Sequence, residues 1–203
     1  MPQPALLLIG PTGVGKTPLG EYAEKHGVHG QRCAHFDFGA ALRQADSAET
    51  PTGALTPGDV KFIHKVLNEG ALLEDETFYI AAELLRAHVA AAKLGPDDYV
   101  LLNGLPRHVG QARDIDAIAR VERVLYLHCD AETVYKRIRQ NSGGDRTERN
   151  DDAPEAIARK LAIFEERTLP LANHYRSLGT PVFDIGITTT SDPASIWTQF
   201  ESV

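Results

Sequence analysis

The sequence predicts an α/β fold: three layers, α/β/α, around a five-stranded parallel sheet. Three observations predict it. The apolar run at 5–9, closed by Gly10, suits a strand buried on both faces. Further short apolar runs at 32–36, 99–102, 123–128 and 181–185 alternate with helical stretches, the pattern of a parallel sheet covered on both sides. A chain of 203 residues, 42% hydrophobic and 24% charged, can bury a core without disulfide or metal staples and fits one domain with at most a small lid.

The elements follow in order. A helix at 16–26 is stopped by Gly27, and a short one at 39–45 follows the second strand. Residues 49–58, rich in Thr, Pro and Gly, read as a loop. Helices at 57–68 and 77–94 come next, the latter ended by Gly95-Pro96. Residues 111–119 and 131–140 read as helices on either side of the fourth strand. The polar stretch 141–153 reads as a mobile surface loop. Pro154 opens a long helix to about 178, bent near Pro170, and 193–201 closes the chain as a helix.

The formal net charge of -7 argues against a surface that coats nucleic acid, while leaving room for a local basic cleft. The start of the chain has no basic region, and 5–9 is far too short for a signal peptide or a membrane span, so a cytoplasmic protein with no membrane partner is expected. Cys33 and Cys129 sit in apolar, strand-like stretches and read as buried free thiols. His35, His108 and His128 read as satisfied polar residues at strand ends, without metal-ligand spacing. Trp197 reads as a core anchor.

Gly10-Pro11-Thr12-Gly13-Val14-Gly15-Lys16-Thr17 fits G-x-x-x-x-G-K-[ST] between an apolar strand and a helix. The spacing has a physical reason. Polyphosphate needs many short donors, and glycines let successive N–H groups turn inward. The following helix adds the positive end of its dipole. Lys16 brings a full charge to the β- and γ-phosphates, and the Thr17 hydroxyl is suited to Mg²⁺. The loop is therefore expected to bind ATP with Mg²⁺, with Gly10, Thr12, Gly13, Val14, Gly15, Lys16 and Thr17 as its contacts.

Further motifs carry a resemblance. His35-Phe36-Asp37-Phe38-Gly39-Ala40-Ala41-Leu42-Arg43 follows the phosphate loop, and Leu102-Asn103-Gly104-Leu105-Pro106-Arg107 precedes Gln111. An acidic turn and helix span 130–139, Arg149-Asn150-Asp151-Asp152 precedes Pro154, and Thr168-Leu169-Pro170 leads to Tyr175. Over nearly the whole chain this resembles the adenylate kinase and nucleoside monophosphate kinase family of P-loop kinases, in its short-lid form. The resemblance implies a single P-loop kinase domain over 1–203. An acceptor-binding helical insertion would lie at about 38–96 and the lid at about 141–153. It implies that Arg43 and Arg107 hold the acceptor phosphate, that Gln111 reads its base, and that Arg137 stacks on the ATP adenine. Phe38, Gly39 and Gly104 would line the acceptor site. Arg146 and Arg149 would close from the lid, and Lys160, with Arg159 adjacent, takes the place of a catalytic arginine. With Lys16 and Arg107 these form the expected catalytic set. The expected partners are ATP and a small phosphorylated or hydroxylated acceptor, handled by a monomer.

The sequence also departs from the family pattern. Asn103 stands where an aspartate holds Mg²⁺ through water, and it brings no charge, so weaker metal organisation is expected and Asn103→Asp is expected to raise activity. Phe38, Ala40 and Asn141 replace a threonine, an aspartate and a lid arginine. Asp37 replaces a serine. A carboxylate there serves either as a helix cap or partner of Arg43, or as general base for a hydroxyl acceptor. Three functions stand at this point. One is a kinase of a nucleoside monophosphate, most simply AMP. Another is a kinase of a hydroxyl-bearing small molecule with Asp37 as base. The third is a nucleotide-binding sensor with little catalysis.

Overall fold

A computed structural model describes residues 1–147 and 153–202. The central strand β1 (Gln3–Ile9) is flanked by β3 (Tyr99–Asn103) and β4 (Ala119–His128). Outside them lie β2 (Cys33–Asp37) and β5 (Val182–Gly186), giving the order β2-β3-β1-β4-β5 with every pairing parallel. The helices are α1 (Lys16–His26), α2 (Phe38–Ser47), α3 (Pro57–Glu69), α4 (Phe78–Ala92), α5 (Val109–Ile115), α6 (Ala131–Gln140), α7 (Pro154–Ile163), α8 (Pro170–Ser177) and α9 (Pro193–Glu201).

The apolar run in β1 serves two cores at once. Ala5, Leu7 and Ile9 pack with Val100, Leu102, Ile80 and Leu171 on one face. Leu6 and Leu8 pack with Leu19, Ala23, Trp197 and Phe200 on the other. Side chains alternate across a strand, so a strand covered on both sides must be apolar at every position. The cores differ in construction: α1 and α9 close the second, while α4 and α8 contribute to the first. Trp197 is 2% exposed, in keeping with its reading as an anchor. Both cysteines are free thiols, Cys33 buried and Cys129 half-buried.

Two boundaries differ from the sequence reading. The helix expected at 111–119 ends at Ile115, and Ala119 already pairs with Gln3 as the first residue of β4. Strand pairing with β1 overrides the local helical pattern there. A bulge at Glu122, where Val121 pairs with Ala5 and Arg123 with Leu6, interrupts the alternation that would have marked a longer strand. The long helix expected at 154–178 contains a π-helical turn, Phe164–Thr168, between α7 and α8. Pro170 has no N–H for the helical ladder, and the Leu169 N–H reaches back to the Phe164 carbonyl at 2.8 Å. Among the described residues no helix is long and apolar enough to cross a membrane.

Candidate active site

In open α/β sheets, ligands bind beyond the carboxyl ends of the strands. Here the ends of β1, β2 and β3 open into one cleft of about 250 Å³. The loop leaving β1 turns into α1 through Gly15, whose φ of 102° lies in the left-handed region that a side chain disfavours. Lys16 folds back over this loop, its Nζ donating to the carbonyls of Gly10 and Pro11, each at 2.7 Å. Gly10, Thr12, Gly13, Gly15, Lys16 and Thr17 line the cleft, while the Val14 side chain is buried in the core.

Arg137 sits behind the loop rather than among the cleft-lining residues. It is 4% exposed and donates to the carbonyls of Gly13, Thr188 and Ser191 at 3.3, 2.7 and 3.1 Å. It ties the phosphate loop to the segment after β5. Burial lowers its pKa, and the nearby Cys129 and Asp145 oppose that shift.

The parallel register sets Asp37 beside Asn103 at the ends of β2 and β3. The Asp37 Oδ1 accepts the Ala40 N–H at 2.9 Å, so Asp37 is the N-cap of α2. Its Oδ2 accepts from the Thr17 hydroxyl at 2.7 Å and from Asn103 Nδ2 at 2.9 Å. Asn103 Nδ2 also lies 3.2 Å from Thr17 Oγ1 and 3.4 Å from His35 Nε2. Burial lowers the His35 pKa despite Asp37 and Glu24, which favours a neutral ring able to accept from that amide.

Beyond β3 the chain turns at Gly104, with φ of 80° and a cis Leu105–Pro106 peptide. The carbonyl of Gly104 accepts from Arg107 Nε at 2.9 Å, aiming the guanidinium into the cleft. Burial lowers the Arg107 pKa, and the Asp37 charge opposes the shift. Gln111 is 1% exposed and does not line the cleft. Its Oε1 accepts the Arg107 N–H at 2.8 Å and its Nε2 donates to the Leu73 carbonyl at 2.8 Å. Both ends of the amide are thus spent on bracing two walls, which differs from the expected contact with an acceptor base.

Arg43, Phe38 and Gly39 line the same cleft from the start of α2. Arg146, 8% exposed, and Lys160 line it from the far side. Arg159 points outward and is exposed, so the helix presents Lys160. Asn141 caps α6 with φ of 48°, and its Oδ1 accepts the Arg146 N–H at 3.1 Å. Arg149 lies outside the described residues.

Sequence reasoning missed three parts of this wall. Val66, Leu67, Leu72 and Leu73 form an apolar side beyond Arg43. Phe164 and Thr168 enter from the π-helical turn, and the Thr168 hydroxyl donates to the Arg107 carbonyl at 2.8 Å. Asp145 joins Asp37 as an acid in the lining. The available signals were the apolar cluster after α3 and Pro170, which marks the disturbed helix.

Among the described residues, five cations, Lys16, Arg43, Arg107, Arg146 and Lys160, therefore line one cleft on a chain of net charge -7. That concentration, beside a phosphate loop on a parallel sheet, defines a P-loop kinase: an ATP-dependent enzyme that gathers two anions. Comparison with known proteins gives the family. A family model described as adenylate kinase matches residues 8–180, and the chain belongs to the adenylate kinase family. It is 31% identical to an adenylate kinase of Prochlorococcus marinus, over 86% of this chain and 84% of that protein. It is 25% identical to an adenylate kinase of Haloarcula marismortui, over 99% of this chain and 96% of that one. A solved gluconokinase from Sinorhizobium meliloti shares the fold, with a TM-score of 0.53 at 15% identity over 98% of this chain and 90% of that one.

Proposed function

We propose that this enzyme transfers the γ-phosphoryl group of Mg²⁺-bound ATP to a nucleoside monophosphate, with AMP as the first choice. The observation that carries the reading is that Arg43 and Arg107 line the same cleft as the phosphate loop, together with the apolar residues Val66, Leu67, Leu72 and Leu73. A monophosphate needs cations for its phosphate and an apolar slot for its base, and both lie within one cleft.

The roles follow from charge. The loop amides and Lys16 hold the β- and γ-phosphates. Arg107 and Arg43 hold the acceptor phosphate. An acceptor oxygen forms a bond to the γ-phosphorus as the bond to the β–γ bridging oxygen breaks. Lys16, Arg107, Arg146 and Lys160 offset the charge on the transferring group, joined by Arg149 from the lid. Closure of the lid excludes water, which would otherwise accept the phosphoryl group. Arg137 supports the adenine side of the donor site, and Gln111 serves the acceptor slot through Arg107 and Leu73.

A bound Mg²⁺ would supply charge neutralisation to the transferring phosphates. Thr17, Asp37 and Asn103 offer a hydroxyl, a carboxylate and an amide in contact with one another, a set that suits a hard cation retaining several waters. The hydroxyl-acceptor reading needs Asp37 for proton abstraction. Both Asp37 oxygens instead accept from the chain's own donors, which supports a positioning role. The enzyme is proposed to work as a cytoplasmic monomer, which size-exclusion with light scattering checks for its oligomeric part.

A coupled assay of ADP formation with AMP, CMP, UMP and GMP tests the reading. Turnover with AMP ahead of the others is expected. No turnover with any of them at millimolar concentration overturns it.

A further inference from the structure

We propose that Asp37 is the metal-organising carboxylate of this enzyme, and that Asn103 is neutral because Asp37 occupies the charge position beside it. The inference rests on the Mg²⁺-ATP part of the proposed function and not on the identity of the acceptor.

A P-loop enzyme holds its cation between the loop's Ser or Thr hydroxyl and a carboxylate from a neighbouring strand end. In this chain the hydroxyl is on Thr17, and Asp37 is the carboxylate that touches it, at 2.7 Å. The contact joins residues 20 positions apart in sequence, so it is made by the fold and not by a local turn. Asp37 lines the cleft together with Lys16 and Thr17, so its charge faces the place where a nucleotide's terminal phosphates arrive.

Asn103 completes the argument. It is 4% exposed and lies beside Asp37 in register, with its Nδ2 donating to Asp37 Oδ2 at 2.9 Å. A carboxylate at 103 would bring a second negative charge to that distance, and two such groups must share a proton or repel. An amide gives the half-buried Asp37 a donor instead. The charge has moved one strand across the sheet, from the end of β3 to the end of β2. This reverses the expectation from sequence: Asn103→Asp alone adds a repelled carboxylate and does not improve metal organisation.

The N-cap of α2 does not account for the arrangement by itself. Capping uses Oδ1 and the Ala40 N–H, and it leaves unexplained why Oδ2 meets both Thr17 and Asn103. Asn caps helices about as well as Asp, so Asp37→Asn removes the charge and keeps the cap.

The test is Mn²⁺ binding to the full chain in complex with a non-hydrolysable ATP analogue, read by electron paramagnetic resonance. It runs on wild type, Asp37→Asn and the double variant Asp37→Asn with Asn103→Asp. Analogue affinity in EDTA reports whether each variant keeps a folded nucleotide site. Asp37→Asn is expected to weaken Mn²⁺ binding by about 10- to 100-fold, the usual cost of losing a group that holds a metal's outer ligands. Metal-free analogue affinity should not fall, since Lys16 and the loop amides are unchanged and a like charge facing the terminal phosphates is removed. The double variant, which returns one charge to the neighbouring strand, should recover most of the loss. Unchanged Mn²⁺ binding in Asp37→Asn overturns the proposal, as does a double variant that recovers nothing while still binding the analogue in EDTA. Neither outcome depends on a monophosphate acceptor, so failure of the acceptor assay and failure here remain separate results.

Discussion

The two ends of the cleft hold anions by different means. The donor end is built from consecutive residues, Gly10 to Thr17, whose backbone supplies most of the donors. The end proposed to hold the acceptor and the metal is assembled from side chains on β2, α2, β3, the turn at Gly104, α7 and the π-helical turn. A grip made of backbone depends on side-chain identity chiefly at its glycines and its lysine. A grip made of scattered side chains can move a charge from one strand to the next and still present it to the same space. Four of the departures from the family pattern, Asp37, Phe38, Asn103 and Lys160, line the second end, while Ala40 and Asn141 lie outside the cleft lining.

Replacing Lys16 by Ala attacks the donor end and should have the largest effect. Transfer is expected to fall by at least about 10²–10³-fold, the cost of removing a positioned transition-state charge partner. Loss of kcat with little change in acceptor KM would support the division between the two ends. An unchanged rate would break it.

Arg107→Lys attacks the other end. Lysine keeps the charge but loses the fork that binds Gly104 through Nε and, in the proposed function, an acceptor phosphate through the remaining donors. A loss of about 10- to 100-fold in kcat/KM for the acceptor is expected, matching one charged hydrogen bond. ATP affinity measured without acceptor should hold. If ATP affinity falls equally, the ends are not separable.

Thr168→Val sharpens the same point from a distance. It removes the hydroxyl that holds the Arg107 carbonyl while keeping the shape. A buried-bond loss of about 0.5–1.5 kcal/mol predicts a rise of a few-fold in acceptor KM. No change in KM would mean that the turn at Arg107 stands without the π-helical segment.

The smallest effect concerns the first residue of β2. Burial pushes the Cys33 thiol up to about 12 from an ordinary 9.0. The unfolded thiol ionises near 9.0 while the folded one stays protonated, so this contribution to stability is intact below that pH and is lost as pH rises toward 12. Urea midpoints from pH 8 to 10 should decline slightly less in Cys33→Ala than in wild type. In the native protein iodoacetamide should label Cys129 before Cys33.

Much of the fold was legible because its signals are local. The apolar run 5–9 reads as a two-sided strand without reference to any partner, and the glycines and Lys16 read as a phosphate loop from spacing alone. The family resemblance pointed to Lys160 with Arg159 adjacent, and in the fold Lys160 lines the cleft while Arg159 is exposed. The helix at 111–119 was misread at its end because Ala119 answers to Gln3, more than a hundred residues away in sequence. Gln111 matches a motif for reading a base, yet its amide is satisfied by Arg107 and Leu73, partners that no pattern around residue 111 announces.

By itself the sequence determined the alternation of strands and helices, the phosphate loop and the kinase family, because each is written in contiguous residues. Only the tertiary structure decided that Asp37, Thr17 and Asn103 meet, across separations of 20, 66 and 86 residues. The sequence makes Asp37 the charged neighbour and Asn103 the neutral one, and the parallel register of β2 and β3 sets the meeting that lets the amide of one donate to the carboxylate of the other.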